Sequence, residues 1–181
     1  MFNFSTLELR IREATKKAFL EMYELHKAEG IYGFALYSDE GAMTVCPSTN
    51  TQQFLEDNAE EHQDDAVYYK FEPAEWKYEM RGADDAFENI CTTIRTEVLE
   101  NEENDEWFDD FQEQLYETCI LVLEKLKQEH FFKNIVGHDI FLLFSVSEYE
   151  FDTEKIVEII NRLNDNDYNQ EYLNWMKTWS E

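Results

Sequence analysis

The chain has few of the residues that bind phosphate. Its 181 residues include 15 Lys and Arg against 41 Asp and Glu, which gives a formal net charge of −26. So few bases argue against nucleic acid as a direct ligand, because phosphate binding needs Lys and Arg to displace counterions. The same deficit argues against docking on anionic lipid. The longest apolar runs, residues 119–123 and 140–144, are too short to span a bilayer, so we expect no membrane partner.

Glycine and histidine are too scarce for the common catalytic motifs. The five Gly form no phosphate-binding loop and no Gly-x-Ser-x-Gly elbow, and the four His fit no metal-ligand spacing. With 41 acids, carboxylate pairs at catalytic separations arise by chance and indicate nothing. These absences favour a protein that is not an enzyme and that needs no cofactor or metal.

Cysteine is scarce as well. Cys46, Cys91 and Cys119 are an odd number, and each lies within an apolar pattern. This usage is typical of buried thiols in a reducing compartment rather than of a disulfide framework. We therefore expect a cytoplasmic protein.

Apolar residues are nevertheless abundant enough for a folded core. The chain has 14 Phe, 10 Tyr and 4 Trp. Leu, Ile, Val and Phe together make up about a quarter of it, above the roughly 20% below which disorder prevails. With only two Pro and no low-complexity linker, the composition predicts a single domain over residues 1–181.

Hydrophobic spacing predicts a helix-rich α+β domain around a small, mostly antiparallel sheet. In the first half, the patterns predict a helix that begins with a capping box at Ser5 and Glu8, followed by a hairpin of strands 31–38 and 43–46 that ends at Pro47. A polar helix over 52–63, capped within 48–51, should come next. Two short extended pieces are predicted within 67–80. In the second half, they predict an antiparallel pair of helices with apolar faces over 87–98 and 108–126, a central strand over 140–147, and two closing helices.

Two acidic runs are the most distinctive feature of the chain. Residues 97–113 hold nine acids and residues 56–65 hold six, and neither run contains Lys or Arg. Like charges at i,i+4 cost a few tenths of a kcal/mol each, whereas a negative field speeds association with a basic partner. The runs are either solvated helix faces or a surface for a basic protein, with Phe108 and Phe111 as further apolar anchors. The predicted partner-binding residues are Glu102, Glu103, Asp105, Glu106, Trp107, Asp109 and Asp110.

An aromatic stripe near the C-terminus has two interpretations. Tyr168, Tyr172, Trp175 and Trp179 recur at helical spacing, which is typical of a core-facing stripe. Exposure of Trp179 would instead indicate a docking face, because Trp and Tyr are common interface anchors.

Two segments resemble a known family. Residues 33–41 (GFALYSDEG) and 44–51 (TVCPSTNT) are similar to the N-terminal hairpin, and residues 71–79 (FEPAEWKYE) to the Pro-x-x-Trp segment, of the bacterial family called domain of unknown function 4303. The resemblance implies a bacterial cytoplasmic protein in a setting similar to that of immunity proteins that neutralise toxins. The resemblance identifies no catalytic residue in this chain. It agrees with the acidity, since many toxin nuclease domains are basic.

The leading hypothesis is therefore an immunity-type binding module for a basic protein. The alternative is a small-molecule site or enzyme site between the hairpin and the Pro-x-x-Trp segment, formed by Cys46, Asn50, Glu75, Trp76 and Tyr78. Within that segment, Trp76 could instead plug the open side of the sheet. A third hypothesis is a salt-adapted domain whose acids serve solubility.

Overall fold

The structure is a computed structural model that describes residues 2–58, 66–147 and 151–180. Eight helices and four strands lie in these residues. The helices are α1 (Phe4–His26), α2 (Gln52–Asn58), α3 (Ala66–Phe71), α4 (Asp84–Glu100), α5 (Asp105–Gln128), α6 (Phe131–Val136), α7 (Thr153–Leu163) and α8 (Asp167–Met176). The strands are β1 (Ile31–Asp39), β2 (Cys46–Thr51), β3 (Tyr78–Glu79) and β4 (Phe141–Ser147), and short 3₁₀ turns follow at Lys27–Glu29, Pro73–Glu75 and Lys177–Ser180.

The four strands form one sheet in the order β3-β2-β1-β4. The β1–β2 and β2–β3 pairs are antiparallel, and the β1–β4 pair is parallel. The predicted helix-rich α+β class with a small, mostly antiparallel sheet is therefore confirmed. The α1 and α5 helices pack on each other and on this sheet.

The predicted strand over 140–147 is confirmed, but its central position is wrong, because β4 lies at the edge of the sheet. The Asn164 side-chain amide covers that edge. Its Oδ1 accepts from the Leu142 backbone N–H at 2.9 Å, and its Nδ2 donates to the Leu142 carbonyl at 2.8 Å. This side chain makes the hydrogen bonds to Leu142 that a neighbouring strand would otherwise make. An apolar run whose pattern predicts a central strand can therefore lie at the edge of the sheet.

The second strand of the hairpin differs from the prediction. It was expected over 43–46 with Pro47 as its end, yet β2 runs from Cys46 to Thr51 and Pro47 pairs with Leu36 inside it. Residues 48–51 are strand residues and are fully buried. The last of them, Thr51, nevertheless caps the following helix as expected, since its Oγ1 accepts from the Phe54 N–H at 3.3 Å. The polar helix does begin directly afterwards, as α2, and residues 59–63 of its predicted range lie outside the described residues.

Residues 67–80 are also organised differently from the prediction. The first extended piece is wrong, because this part of the chain forms α3. Its last residue, Phe71, lies 4.9 Å from the Phe141 ring and 5.2 Å from the Tyr172 ring, between ring centroids. Distant aromatic partners thus favour a helix that local pattern does not indicate. The second piece is confirmed as the two-residue strand β3.

The long helices follow their predicted apolar faces. The α4 and α5 helices are confirmed, but their most extensive packing is against α1 rather than against each other. The N-cap of α1 is Asn3 rather than Ser5 of the predicted capping box, since Asn3 Oδ1 accepts from the Thr6 N–H at 2.9 Å. The Glu8 carboxylate, expected in that box, pairs with Lys125 on α5 instead.

Candidate functional site

The acids of residues 97–113 form one exposed surface at the end of α4 and the start of α5, here called the α4–α5 acidic surface. The backbone turns between the helices at residues 101–104, so both acidic helix ends lie together. Glu97 is half-buried and the other eight acids are exposed. They are Glu100, Glu102, Glu103, Asp105, Glu106, Asp109, Asp110 and Glu113.

No ion pair within the described residues reaches this surface. Twelve of the fifteen Lys and Arg residues pair with an acid, and each of those acids lies outside residues 97–113. The bases therefore neutralise other parts of the fold. The negative field of the nine acids is left for solvent or for a cationic partner.

Helix-end electrostatics explain only some of these acids. Asp105 and Glu106 lie in the first turn of α5, where the positive end of the helix dipole stabilises a carboxylate. Asn104 caps the same end by accepting from the Trp107 N–H at 3.1 Å. By contrast, the last turn of α4 contains Glu97 and Glu100 and no base, although the dipole there favours positive charge. The carboxylates on α4 have no such local stabilisation.

The predicted aromatic anchors contribute less to this surface than expected. Phe111 is buried in the core, and the Trp107 ring stacks on it at 4.8 Å between centroids. Phe108 is likewise partly buried against the core. The exposed apolar side chain beside the acids is Leu99, which the sequence pattern did not single out. Contact with a partner at this surface would therefore be made mainly by carboxylates.

The second acidic run is described only at its start. Glu56 and Asp57 are exposed near the end of α2. The remaining acids of residues 56–65 lie outside the described residues.

The five residues of the alternative ligand site are brought together only in part. Asn50, Trp76 and Tyr78 are neighbours, because β3 pairs with β2 and the Lys77 N–H donates to Asn50 Oδ1 at 3.5 Å. Cys46 lies four residues before Asn50 on β2, about 13 Å away at the usual rise of a strand. Glu75 is exposed on the 3₁₀ turn.

The side chains that do meet are occupied with internal contacts. Asn50 is fully buried and donates to the Tyr32 hydroxyl at 3.0 Å and to the Tyr69 carbonyl at 3.2 Å. Trp76 is 3% exposed and packs on the sheet, which supports the alternative in which it plugs the open side. The structure thus brings Asn50, Trp76 and Tyr78 of the predicted set together and leaves Cys46 and Glu75 apart from them.

Tyr78 belongs to a polar cluster that joins α1 to β3. Its hydroxyl donates to Glu29 at 2.8 Å and lies 2.8 Å from His26 Nδ1, while Lys77 Nζ donates to Glu29 at 2.8 Å. Burial raises the pKa of Glu29, but the hydrogen bonds from Lys77, His26 and Tyr78 outweigh it and lower the pKa to about 2. The cluster holds a stable carboxylate, as a structural clamp does, rather than a group that exchanges protons near neutral pH.

The thiols are placed as predicted. Cys46, Cys91 and Cys119 are free and buried. Cys91 Sγ accepts from the Val45 N–H at 3.4 Å. Hydrogen bonding to Cys91 and burial raise the pKa of Cys46, so it lacks the stabilised thiolate that a nucleophile needs.

The described residues contain neither a cluster of metal ligands nor a membrane-spanning helix. Over 2–58, 66–147 and 151–180, no three His, Cys, Asp or Glu side chains gather as metal ligands would. In the same residues, every helix is too short or too polar to cross a bilayer.

The fold and its surface define an acidic, helix-rich α+β domain with an unneutralised carboxylate face. Comparison with known families places the chain more narrowly. It belongs to the family described as Domain of unknown function (DUF4303), whose profile matches residues 11–165. Neither a curated protein nor a solved structure matches the chain.

Proposed function

We propose that this protein is a non-enzymatic binding module of immunity type, which engages a basic protein partner in the bacterial cytoplasm through the α4–α5 acidic surface. One observation carries the proposal: nine acids share a surface on which the described residues supply no ion-paired Lys or Arg. A chain that uses twelve bases elsewhere leaves this face negative.

The electrostatic cost of this arrangement supports a functional reason for it. Glu97 and Glu100 oppose the α4 dipole, and neighbouring acids on α5 repel one another. A field of one sign raises the association rate of an oppositely charged partner by roughly 10–10³. Contacts of this kind give orientation and speed more than raw affinity, and salt weakens them.

The test is co-purification of partners from the native host with two variants of equal charge. The test variant changes Glu102, Glu103, Asp109, Asp110 and Glu113 to the corresponding amides. The control variant changes five exposed acids elsewhere, Glu13, Glu24, Glu75, Glu88 and Glu154, to Gln. Each variant raises the formal net charge from −26 by five, to −21, so total charge cannot explain a difference between them.

We expect the wild-type chain and the control variant to capture a basic protein, and the test variant to lose it. Added salt should weaken wild-type capture several-fold, because the contacts are exposed. Capture of only neutral or acidic proteins, insensitivity to salt, or equal capture by both variants would contradict the proposal.

A further inference from the structure

A cleft whose chemistry differs from that of the α4–α5 acidic surface lies along β4, the edge strand of the sheet. This cleft of about 990 Å³ opens between β4, α3, α7 and α8, and this volume falls in the range of small-molecule sites. Its wall includes residues 143–146 of β4, together with Phe151 and Ile156. We call it the β4 cleft.

Aromatic rings from α3, α8 and the C-terminal turn line one side of the β4 cleft. The Trp175 ring lies 4.9 Å from Trp179, 5.4 Å from Tyr172 and 6.4 Å from Tyr68, measured between centroids. Trp179 is 48% exposed and Tyr68 is 41% exposed. Exposed aromatic rings around a concave surface indicate a binding site for an apolar group.

Glu171 and Glu72 are the carboxylates that line the β4 cleft, and Glu72 is the less exposed of the two. It accepts a long hydrogen bond of 3.4 Å from the Ala74 N–H, and no Lys, Arg or His of the described residues pairs with it. By contrast, Glu171 at the rim is paired with Lys70 at 2.6 Å. Burial raises the pKa of Glu72, as expected for a carboxyl group with little solvent and no cation.

The Glu72 carboxylate affects the pKa of two tyrosines that line the same cleft. Burial is the main cause that raises the pKa of Tyr68 and of Tyr172, and the negative charge of Glu72 adds to it in both. An acid and several aromatic faces therefore meet in one partly desolvated space. Such faces attract a cation, most strongly where water is excluded, and the acid supplies the countercharge.

From this arrangement we infer that the β4 cleft binds a small organic cation of the alkylammonium class. The charged nitrogen would lie between Glu72 and the Trp175 and Trp179 rings, and its alkyl groups would contact the apolar wall of β4 and α7. The proposed occupant is a free ligand, and a methylated side chain of a partner protein is one outcome of the test below. The inference is independent of the α4–α5 acidic surface, because none of the residues that carry it lies there.

The test uses choline as the probe and 3,3-dimethylbutan-1-ol as its neutral isostere. Binding to the full chain is measured by titration calorimetry and by tryptophan fluorescence. The variants are Glu72→Gln, which keeps the shape and removes the charge, and Trp179→Leu, which removes an exposed ring. Glu75→Gln is the matched control, since Glu75 is an exposed acid of the neighbouring turn that does not line the cleft.

We expect saturable choline binding by the wild-type chain, at least about tenfold tighter than binding of the isostere. Glu72→Gln and Trp179→Leu should each weaken it several-fold, and Glu75→Gln should leave it unchanged. Should Glu72→Gln fail to fold, as judged by circular dichroism, Trp179→Leu decides the matter, because that side chain is half-exposed.

Three outcomes would overturn the inference. Equal binding of choline and its isostere would indicate a plain apolar cleft. An unchanged affinity in both variants would place the probe elsewhere. Binding of a trimethyllysine peptide without binding of choline would assign the cleft to a protein side chain.

Discussion

The indole of Trp76 lies directly over Gly33 of β1. A Cβ atom added at Gly33 would come within 3.0 Å of Trp76 Cη2, tighter than almost all real contacts of this kind. Trp76 follows the Pro73–Glu75 turn, and its ring fills the space that the missing side chain leaves on the sheet. This packing contact adds to the β2–β3 pairing that joins the two segments of the family resemblance, and it holds the Pro-x-x-Trp segment against β1.

The first prediction follows from this contact. Gly33→Ala should lower the free energy of unfolding by about 1–3 kcal/mol, because the added methyl group forces the buried indole to shift. Urea unfolding of the two proteins measures the change. Gly41→Ala is the control, since a Cβ there meets nothing closer than 3.6 Å. Equal stability of the two variants would show that Trp76 moves without cost.

The second prediction concerns the pH dependence of stability at Glu29. Its folded-state pKa of about 2 lies below the model-compound value of 4.5. A carboxyl group with a lowered pKa stabilises the fold fully above about pH 4.5, and that contribution is lost as the pH falls toward 2. Glu29→Gln should therefore destabilise the protein at pH 6, and the difference from wild type should shrink on acidification to pH 2. Urea titrations across this range measure it, and a constant difference would contradict the assignment.

The third prediction concerns Arg162, which joins α7 to α5. Its guanidinium pairs with Glu117 at 2.6 Å and with Glu124 at 2.9 Å, and it also reaches Glu158 on its own helix. These hydrogen bonds raise the pKa of Arg162 further, so the group is charged at every working pH. Arg162→Gln should lower the free energy of unfolding by about 1–3 kcal/mol, since Glu124 loses its ion-pair partner and Glu117 and Glu158 keep only Lys155.

The matched control for that prediction is Arg81→Gln. Arg81 is exposed, and no acid of the described residues pairs with it. Thermal or urea unfolding should show little change in this control. If the two variants lose the same stability, then net charge rather than the cross-helix pairing is responsible.

The fourth prediction concerns the three thiols. Cys46 is 6% exposed, Cys91 is 4% exposed and Cys119 is fully buried, and burial raises the pKa of Cys119. Because only an accessible thiolate attacks a disulfide reagent, none should react with Ellman's reagent within minutes in the native protein. All three should react at once in guanidinium chloride. A rapidly reacting thiol in the folded chain would show that this part of the core opens.

Local pattern was sufficient for the long helices. The apolar faces of α4, α5 and α7 repeat at helical spacing, and Asp152 caps α7 as expected, accepting from the Lys155 N–H at 2.8 Å. The spacing of the apolar faces depends on residues within one or two turns of each other, so the sequence alone contains that information. The odd, apolar-flanked cysteines likewise predicted buried, unpaired thiols, as observed.

The role proposed for Glu72 could not be predicted from the local sequence pattern. It follows Tyr68, Tyr69 and Phe71 in the most aromatic stretch of the chain, but Glu75 and Glu79 are further acids there, so the sequence does not single it out. Its position in a cleft depends on α8, which lies about a hundred residues later in the chain. Only the packing of Trp175 against Phe71 brings the acid and the C-terminal rings together.

By itself, the sequence determined the helix-rich α+β class, the long helices, and the uneven distribution of charge that leaves residues 97–113 without a base. Tertiary structure alone decided that residues 48–51 form a buried strand, that β4 lies at an edge, and which acids remain unpaired. The reason is that burying a polar strand is costly unless distant groups satisfy most of its side-chain hydrogen bonds. For Ser48 that group is the Pro73 carbonyl, at 2.9 Å, and for Asn50 it is the Tyr32 hydroxyl, at 3.0 Å.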